Sequence, residues 1–227
     1  MAPAWLPLMI VGIVVSAAAT ALEYRRQTMS AVFCGALASL LFVAVAVVCR
    51  METHDRPYSV FVLCGLLLCG AGSLLLKLGA GAKKGAAWAA GAGMAVFLAG
   101  HAAYIGALVY RGYIGMIIAL PLALLIWLAL IFLVLRRPGS PKRFRGLISL
   151  KLLLASLLLG WSAALLVLNL PDSTYHLFLL GALGMLIYDI DTIIRLFTRR
   201  RFPAAQAAAF AAYAAGQLLI ALSILFA

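Results

Sequence analysis

Eight apolar stretches, each long enough to cross a bilayer, fill this chain. That feature leaves little choice of fold. Hydrocarbon offers the backbone no hydrogen-bonding partner, so a spanning chain must satisfy its own N–H and C=O groups, as helices or as a closed barrel. About 20 apolar residues in a row make a spanning helix. The alternation of a barrel strand is absent from these runs. Breaks at charges and turn residues place helices near 5–22, 29–49, 59–76, 86–109, 113–135, 147–169, 175–197 and 204–226. The expected fold is all-α, a polytopic membrane protein of eight transmembrane helices in one domain over 1–227. Composition agrees, with 67% hydrophobic and 11% charged residues, against roughly 45–50% apolar in a soluble domain.

Basic residues set the orientation. With the N-terminus outside, loops one, three, five and seven and their helix ends hold 15 of the 18 Lys and Arg. They are Arg25 and Arg26; Lys77, Lys83 and Lys84; Arg136, Arg137, Lys142, Arg143, Arg145 and Lys151; and Arg195, Arg199, Arg200 and Arg201. Only Arg50, Arg56 and Arg111 fall on the other side. The net charge of +12 therefore reads as a cytoplasmic collar facing membrane lipids, and no nucleic-acid partner is expected. The expected location is the bacterial inner (cell) membrane, with both termini outside. Ala19-Thr20-Ala21 resembles a signal cleavage site, but no basic residue precedes the apolar run, so no cleavable signal is expected. Cys34, Cys49, Cys64 and Cys69 lie within or at the ends of spans and read as small packing residues. Neither a zinc spacing nor a phosphate-binding loop occurs, and no metal or other cofactor is called for.

A weak internal repeat organises the spans. Ser73 to His101 is 28 residues, and so is Asp189 to Gln217. An offset of 116 lays Ala99-Gly100-His101 on Ala215-Gly216-Gln217, and Phe97 on Tyr213. Four helices separate the copies, so a 4+4 parallel repeat with halves 1–110 and 111–227 is one reading, and chance in Ala- and Leu-rich text is the other. Glycines mark contact faces, because they let helices approach closely in a bilayer. Gly181, Gly184, Tyr188, Asp191 and Arg195 follow one seam, with Ala182, Met185, Asp189 and Thr192 beside it. Gly93, Phe97, Gly100, His101 and Tyr104 share a face of the fourth helix.

The chain has six acidic residues, and only Asp189 and Asp191 lie inside a span. A carboxylate at membrane depth is expensive and usually faces a polar interior with a function. Asp191 has Arg195 one turn on and can pair with it. Asp189 has Met185 and Ile193 at those positions and no basic neighbour on its own helix. At 1.5 Å per residue, Asp189 lies roughly 12 Å and Ser73 roughly 5 Å from the cytoplasmic ends of their helices. His101 and Gln217 lie deeper. A cavity open to the cytoplasmic leaflet, floored by His101 and Gln217, would join these groups. Structural roles stay open beside it: His101 and Gln217 as interhelical hydrogen bonders, and Ser73 bonding back to its own helix. Glu23 is expected to reach the interface, and Asp172 with His176 to form an exposed pair.

Gly65 to Gly72-Ser73-Leu74, Phe97 to Gly100-His101 and Tyr104, Gly181 to Tyr188-Asp189 and Phe197, and Tyr213 to Gly216-Gln217-Leu218 together resemble the YhhN family of membrane proteins, which includes the lysoplasmalogenases. The resemblance covers roughly 59–110 and 175–227. It implies eight helices and hydrolysis of the vinyl ether bond of lysoplasmalogens, giving a fatty aldehyde and a glycerophospho-amine. The partner would be a lysophospholipid or other single-chain lipid. The resemblance implies catalytic roles for Asp189 and His101; with Ser73 at the family's third-helix Asp, Asp191 or Glu23 would have to substitute as the second carboxylate. Ser73, Tyr104, Tyr188, Tyr213 and Gln217 would contact substrate. The family's Gly-Asp in the third helix reads Gly72-Ser73 here, and its Lys-Pro near the second helix reads Gln27-Thr28.

The chemistry gives these departures weight. Vinyl ether hydrolysis starts with proton transfer to carbon, forming an oxocarbenium ion that water attacks. An acid serves the first step, and a second carboxylate would stabilise the cation, the two-carboxylate logic of glycosidases. Ser73 can hold a water but cannot neutralise a cation. Three functions follow: a hydrolase using Asp189 as general acid, a catalytically lapsed lipid-binding relative, or a small transporter suggested by the parallel repeat.

The orientation is testable. Cysteines added at Met1 and Ala227 should react with an impermeant thiol reagent from outside. Labelling of either only after permeabilisation would reverse the topology.

Overall fold

A computed structural model describes residues 3–25, 28–53, 55–81, 87–135, 145–197 and 202–227. It contains eight long helices: α1 (Trp5–Tyr24), α2 (Thr28–Glu52), α3 (Arg56–Gly81), α4 (Ala87–Arg111), α5 (Met116–Leu135), α6 (Arg145–Leu168), α7 (Ser173–Phe197) and α8 (Pro203–Leu222). Each is long and apolar enough to span a membrane. Short 3-10 turns, Tyr113–Gly115 and Ser223–Phe226, precede α5 and follow α8. Among the described residues there are no strands. The all-α polytopic expectation therefore holds.

The elements begin where local chemistry allows. Pro203 stands at the start of α8, where its missing N–H would be unpaired anyway. Asp172 accepts the Thr174 N–H at 2.8 Å and Asp55 accepts the Tyr58 N–H at 3.2 Å, so a carboxylate caps α7 and another caps α3. The third helix, expected over 59–76, runs five residues longer at its C-terminal end, to Gly81. The sixth starts at Arg145 rather than near 147. The longer third helix takes in Lys77, and Lys151, counted with the expected collar, lies inside the sixth helix and is buried. Arg26, Lys83, Lys84, Arg136, Arg137, Lys142, Arg143, Arg199, Arg200 and Arg201 lie outside the described residues, as does Gln27.

Packing proceeds by hairpins, α1 on α2, α3 on α4, α5 on α6 and α7 on α8. Helix α6 also lies against α4 and α7, and α8 against α1, α2 and α3. Helix α5 stays outside this ring, with Ile117, Leu125 and Leu133 exposed, as suits a lipid-facing helix. The two tightest hairpins have glycines at the crossing. A methyl group at Gly100 would stand 2.9 Å from the Cys69 nitrogen and 3.2 Å from the Gly65 carbonyl. One at Gly216 would stand 2.6 Å from the Gly181 carbonyl. Gly65 with Gly100 and Gly181 with Gly216 are the same pair of positions, 116 residues apart.

Ion pairs fasten both ends. At one end Arg111 reaches Asp55 at 3.1 Å and Asp172 at 3.2 Å, beneath the rings of Tyr58 and Tyr175. Asp172 is thus paired with Arg111, and His176 meets only its backbone carbonyl, at 3.1 Å. The expected exposed Asp172–His176 pair does not form. At the other end Glu23 is 7% exposed, bonded to Lys77 and to the Gln206 amide at 2.8 Å. Glu23 does not reach out to the interface as expected, because Lys77, held 3.7 Å above the Phe210 ring, turns inward to meet it.

The crossings give a direct trial. Gly100→Val should destabilise the protein by about 1–3 kcal/mol, the usual effect of overpacking. Gly91, whose added methyl would meet nothing within 4 Å, should accept Ala with no loss. Thermal unfolding in detergent micelles reads both.

Candidate functional site

Helix α6 turns Ile148, Lys151, Leu152, Ala155 and Ser156 toward the core. Lys151 sits among these apolar residues at helical spacing, so packing α6 against α4 and α7 carries its ammonium inward. It is 0% exposed, as are Asp189 and His101. Lys151 Nζ lies 2.9 Å from Asp189 Oδ1, and His101 Nε2 lies 3.1 Å from Asp189 Oδ2. One carboxylate thus meets two basic groups, each from a different helix. The distances are those of ion pairs, but the approach is bent away from good hydrogen-bond alignment.

The histidine constrains where protons sit. His101 Nδ1 lies 3.0 Å from the Phe97 carbonyl one turn back. A carbonyl only accepts, so Nδ1 carries hydrogen and donates it. The other ring nitrogen then faces a carboxylate oxygen. A bare nitrogen lone pair against a bare carboxylate would repel, so a proton belongs between them, on His101 or on Asp189. Lys151 supplies the counter-charge that lets a carboxylate sit in an apolar core. The expectation that Asp189 has no basic partner is therefore corrected. Along its own helix it has none, and across the bundle it has Lys151.

Aromatic rings close the cluster. Phe97 stacks 6.2 Å from Tyr188 and lies 6.0 Å from Tyr213, and Tyr188 and Tyr213 are 4.6 Å apart. The Lys151 ammonium stands 4.3 Å above the Phe97 ring, a cation–π contact. Asp189 and His101 are fully buried, so the open cavity expected around Asp189 is closed in this conformation. On another level, Tyr104 donates to Gln217 Oε1 at 2.7 Å, linking α4 to α8. The Tyr213 hydroxyl lies against that of Ser73, and Gln217 Nε2 is buried with no hydrogen-bond partner.

The sequence candidates separate accordingly. Asp189 and His101 meet. Tyr188 and Tyr213 wall the site, and Tyr104 and Gln217 form a pair of their own. Ser73 is buried, and its hydroxyl donates to the Gly70 carbonyl of its own helix at 2.9 Å. Asp191 pairs with Arg195 at 2.8 Å, two residues on from Asp189 and so on a different side of the helix. Asp191 is not among the contacts of His101 or Lys151. Sequence reasoning missed Lys151 because it stood at the edge of its span and was counted with the loop cations. Its signal was the three leucines that follow it, Leu152, Leu153 and Leu154.

The comparisons with known proteins agree with the geometry in one respect. The model of the YhhN family matches residues 29–224, and the chain belongs to that family. No curated protein matches it, nor does any solved structure.

Removing one partner of a buried ion pair strands the other, at a cost of about 3–5 kcal/mol. Lys151→Met and Asp189→Leu should each lower stability by that order. The double variant should regain most of the loss, because both charges leave together. Additive losses in the cycle would show that the contact is not an ion pair.

Proposed function

We propose that this YhhN-family protein is a membrane hydrolase that cleaves the vinyl ether bond of lysoplasmalogens, releasing a fatty aldehyde and a glycerophospho-amine. One observation carries the reading: His101 Nε2 and Asp189 Oδ2 stand 3.1 Å apart in an apolar interior, with Lys151 beside them as counter-charge. Depth supports it. Asp189 is eight residues from the end of α7, roughly 12 Å at the helical rise. A vinyl ether lies next to the glycerol of its lipid, just below the headgroups, and so reaches a comparable depth. On this reading the site lies toward the cytoplasmic side, with both termini outside. After Lys77 and Lys151 turn inward, thirteen basic residues remain on that side against three on the other.

The chemistry follows from the proton. It passes from the His101–Asp189 pair to the outer vinyl carbon, and the double-bond electrons form the new C–H bond. The adjacent carbon becomes an oxocarbenium ion. The Asp189 carboxylate, now without that proton, faces the cation and stabilises it. Water adds to the cationic carbon and returns a proton to the pair. The hemiacetal breaks its C–O bond to give the aldehyde and the glycerol hydroxyl. Asp189 alone serves here as the anion, because Asp191 is spent on Arg195 and position 73 is Ser. The ring stack of Phe97, Tyr188 and Tyr213 must part to admit substrate, and once closed it keeps out other water.

A second reading has its own observation. Position 73 carries no carboxylate, and the Ser73 hydroxyl gives its hydrogen to the Gly70 carbonyl. A lapsed relative that binds a single-chain lipid fits this equally. Aldehyde release from lysoplasmalogen by the purified protein decides between them. Asp189→Asn should lower release about 10²–10⁴-fold while leaving lysolipid binding. Ser73→Asp should raise turnover. If wild type and Ser73→Asp both release no aldehyde, the hydrolase reading fails and the binding reading replaces it.

A further inference from the structure

We propose that Lys151 is an aldehyde-binding amine, whose Nζ forms a protonated Schiff base with a long-chain aldehyde inside the bundle. Among the described residues it is the one fully buried lysine. A buried lysine in an apolar setting is the usual form of a Schiff-base residue. Four features around it match the needs of an iminium ion. Asp189 Oδ1 at 2.9 Å is a counterion in place. The Phe97 ring at 4.3 Å offers its electron-rich face to a cation. The Tyr188 and Tyr213 rings supply apolar surface for the first carbons of a chain. The proton between His101 and Asp189 is available to drive out water.

The steps balance. Lys151 passes a proton to Asp189, 2.9 Å away, because only the neutral amine has the lone pair that attack requires. The amine lone pair forms a C–N bond to the aldehyde carbon as the carbonyl π electrons move to oxygen. The oxygen takes two protons, one from the amine nitrogen by way of Asp189 and one from the His101–Asp189 pair. It leaves as water, and the nitrogen lone pair forms the C=N bond. The pair, having received one proton from Lys151 and given one to oxygen, ends with the single proton it began with, and ammonium plus aldehyde has become iminium plus water. No oxidant or reductant enters. The proposal rests on the reading above only in that the aldehyde is the product named there. The site would hold that product and keep a reactive carbonyl from free diffusion.

The trial offers the aldehyde directly, so it does not depend on hydrolysis. The full-length protein in phosphatidylcholine vesicles is incubated with hexadecanal and cyanoborohydride, and modified lysines are mapped by peptide mass spectrometry. Lys151 should carry the alkyl group in at least about tenfold excess over Lys83, Lys84 or Lys142, a selectivity worth about 1.4 kcal/mol. Lys151→Arg, which keeps the charge but cannot form an imine, should lose that adduct and retain the loop adducts. The wild-type map stands by itself if the variant does not fold. A second arm uses acetaldehyde, too short to exploit the apolar wall, and should abolish the preference for Lys151. Alkylation of loop lysines without Lys151, or equal labelling by both aldehydes, overturns the proposal. Adduct formation without aldehyde release from lysoplasmalogen supports it while sinking the hydrolase reading; release without adduct does the reverse.

Discussion

The carboxylate of Asp189 is the constraint around which the rest of the bundle is arranged. An unpaired carboxylate in a core would neutralise itself or expel its helix toward water. Here an ammonium and an imidazole arrive from α6 and α4. Three helices must therefore keep their rotation and depth together. Slipping α6 by one residue would turn Lys151 about 100° away and leave two buried charges apart. The pair thus specifies register as much as it adds stability, the best-attested use of buried ionic groups.

Close backbone packing makes that arrangement possible. Lipid tails are as apolar as leucine, so these helices gain little from burial alone and depend on contact. Gly72, Gly93 and Gly100 bring α3 against α4, and Gly181, Gly184 and Gly216 bring α7 against α8. The two hairpins form rigid walls on which His101 and Asp189 face each other. Ion pairs then hold the rims: Arg111 between Asp55 and Asp172 at one end, Glu23 with Lys77 at the other. Contacts of Gly65 with Gly100 and of Gly181 with Gly216 recur at the 116-residue offset, which supports a proposal of duplicated halves.

The two halves nevertheless differ in chemistry. At the offset, Ser73 corresponds to Asp189 and His101 to Gln217. Ser73 bonds to its own backbone, whereas Asp189 bonds across the bundle. Gln217 accepts from Tyr104, whereas His101 reaches the carboxylate. The acid–base groups are gathered on α4, α6 and α7.

Much of this was legible in the chain. Eight spans follow from apolar run length, because hydrocarbon admits no unpaired backbone. Asp189 and His101 stand out as polar groups at membrane depth, and the glycine seams mark which faces touch. The Asp191–Arg195 pair is local, four residues apart on one helix, so spacing alone supplied it. Lys151, Lys77 and Glu23 were not legible, since each sits near a helix end where a long side chain can turn either to water or to the core. Which way it turns depends on what the facing helix offers. For Lys151 that is a carboxylate 38 residues away in sequence, and for Lys77 it is one 54 residues away. The closing of Phe97, Tyr188 and Tyr213 over the site was likewise decided only by tertiary packing. The sequence determined that a charge would be buried; the assembled helices decided which partner it met.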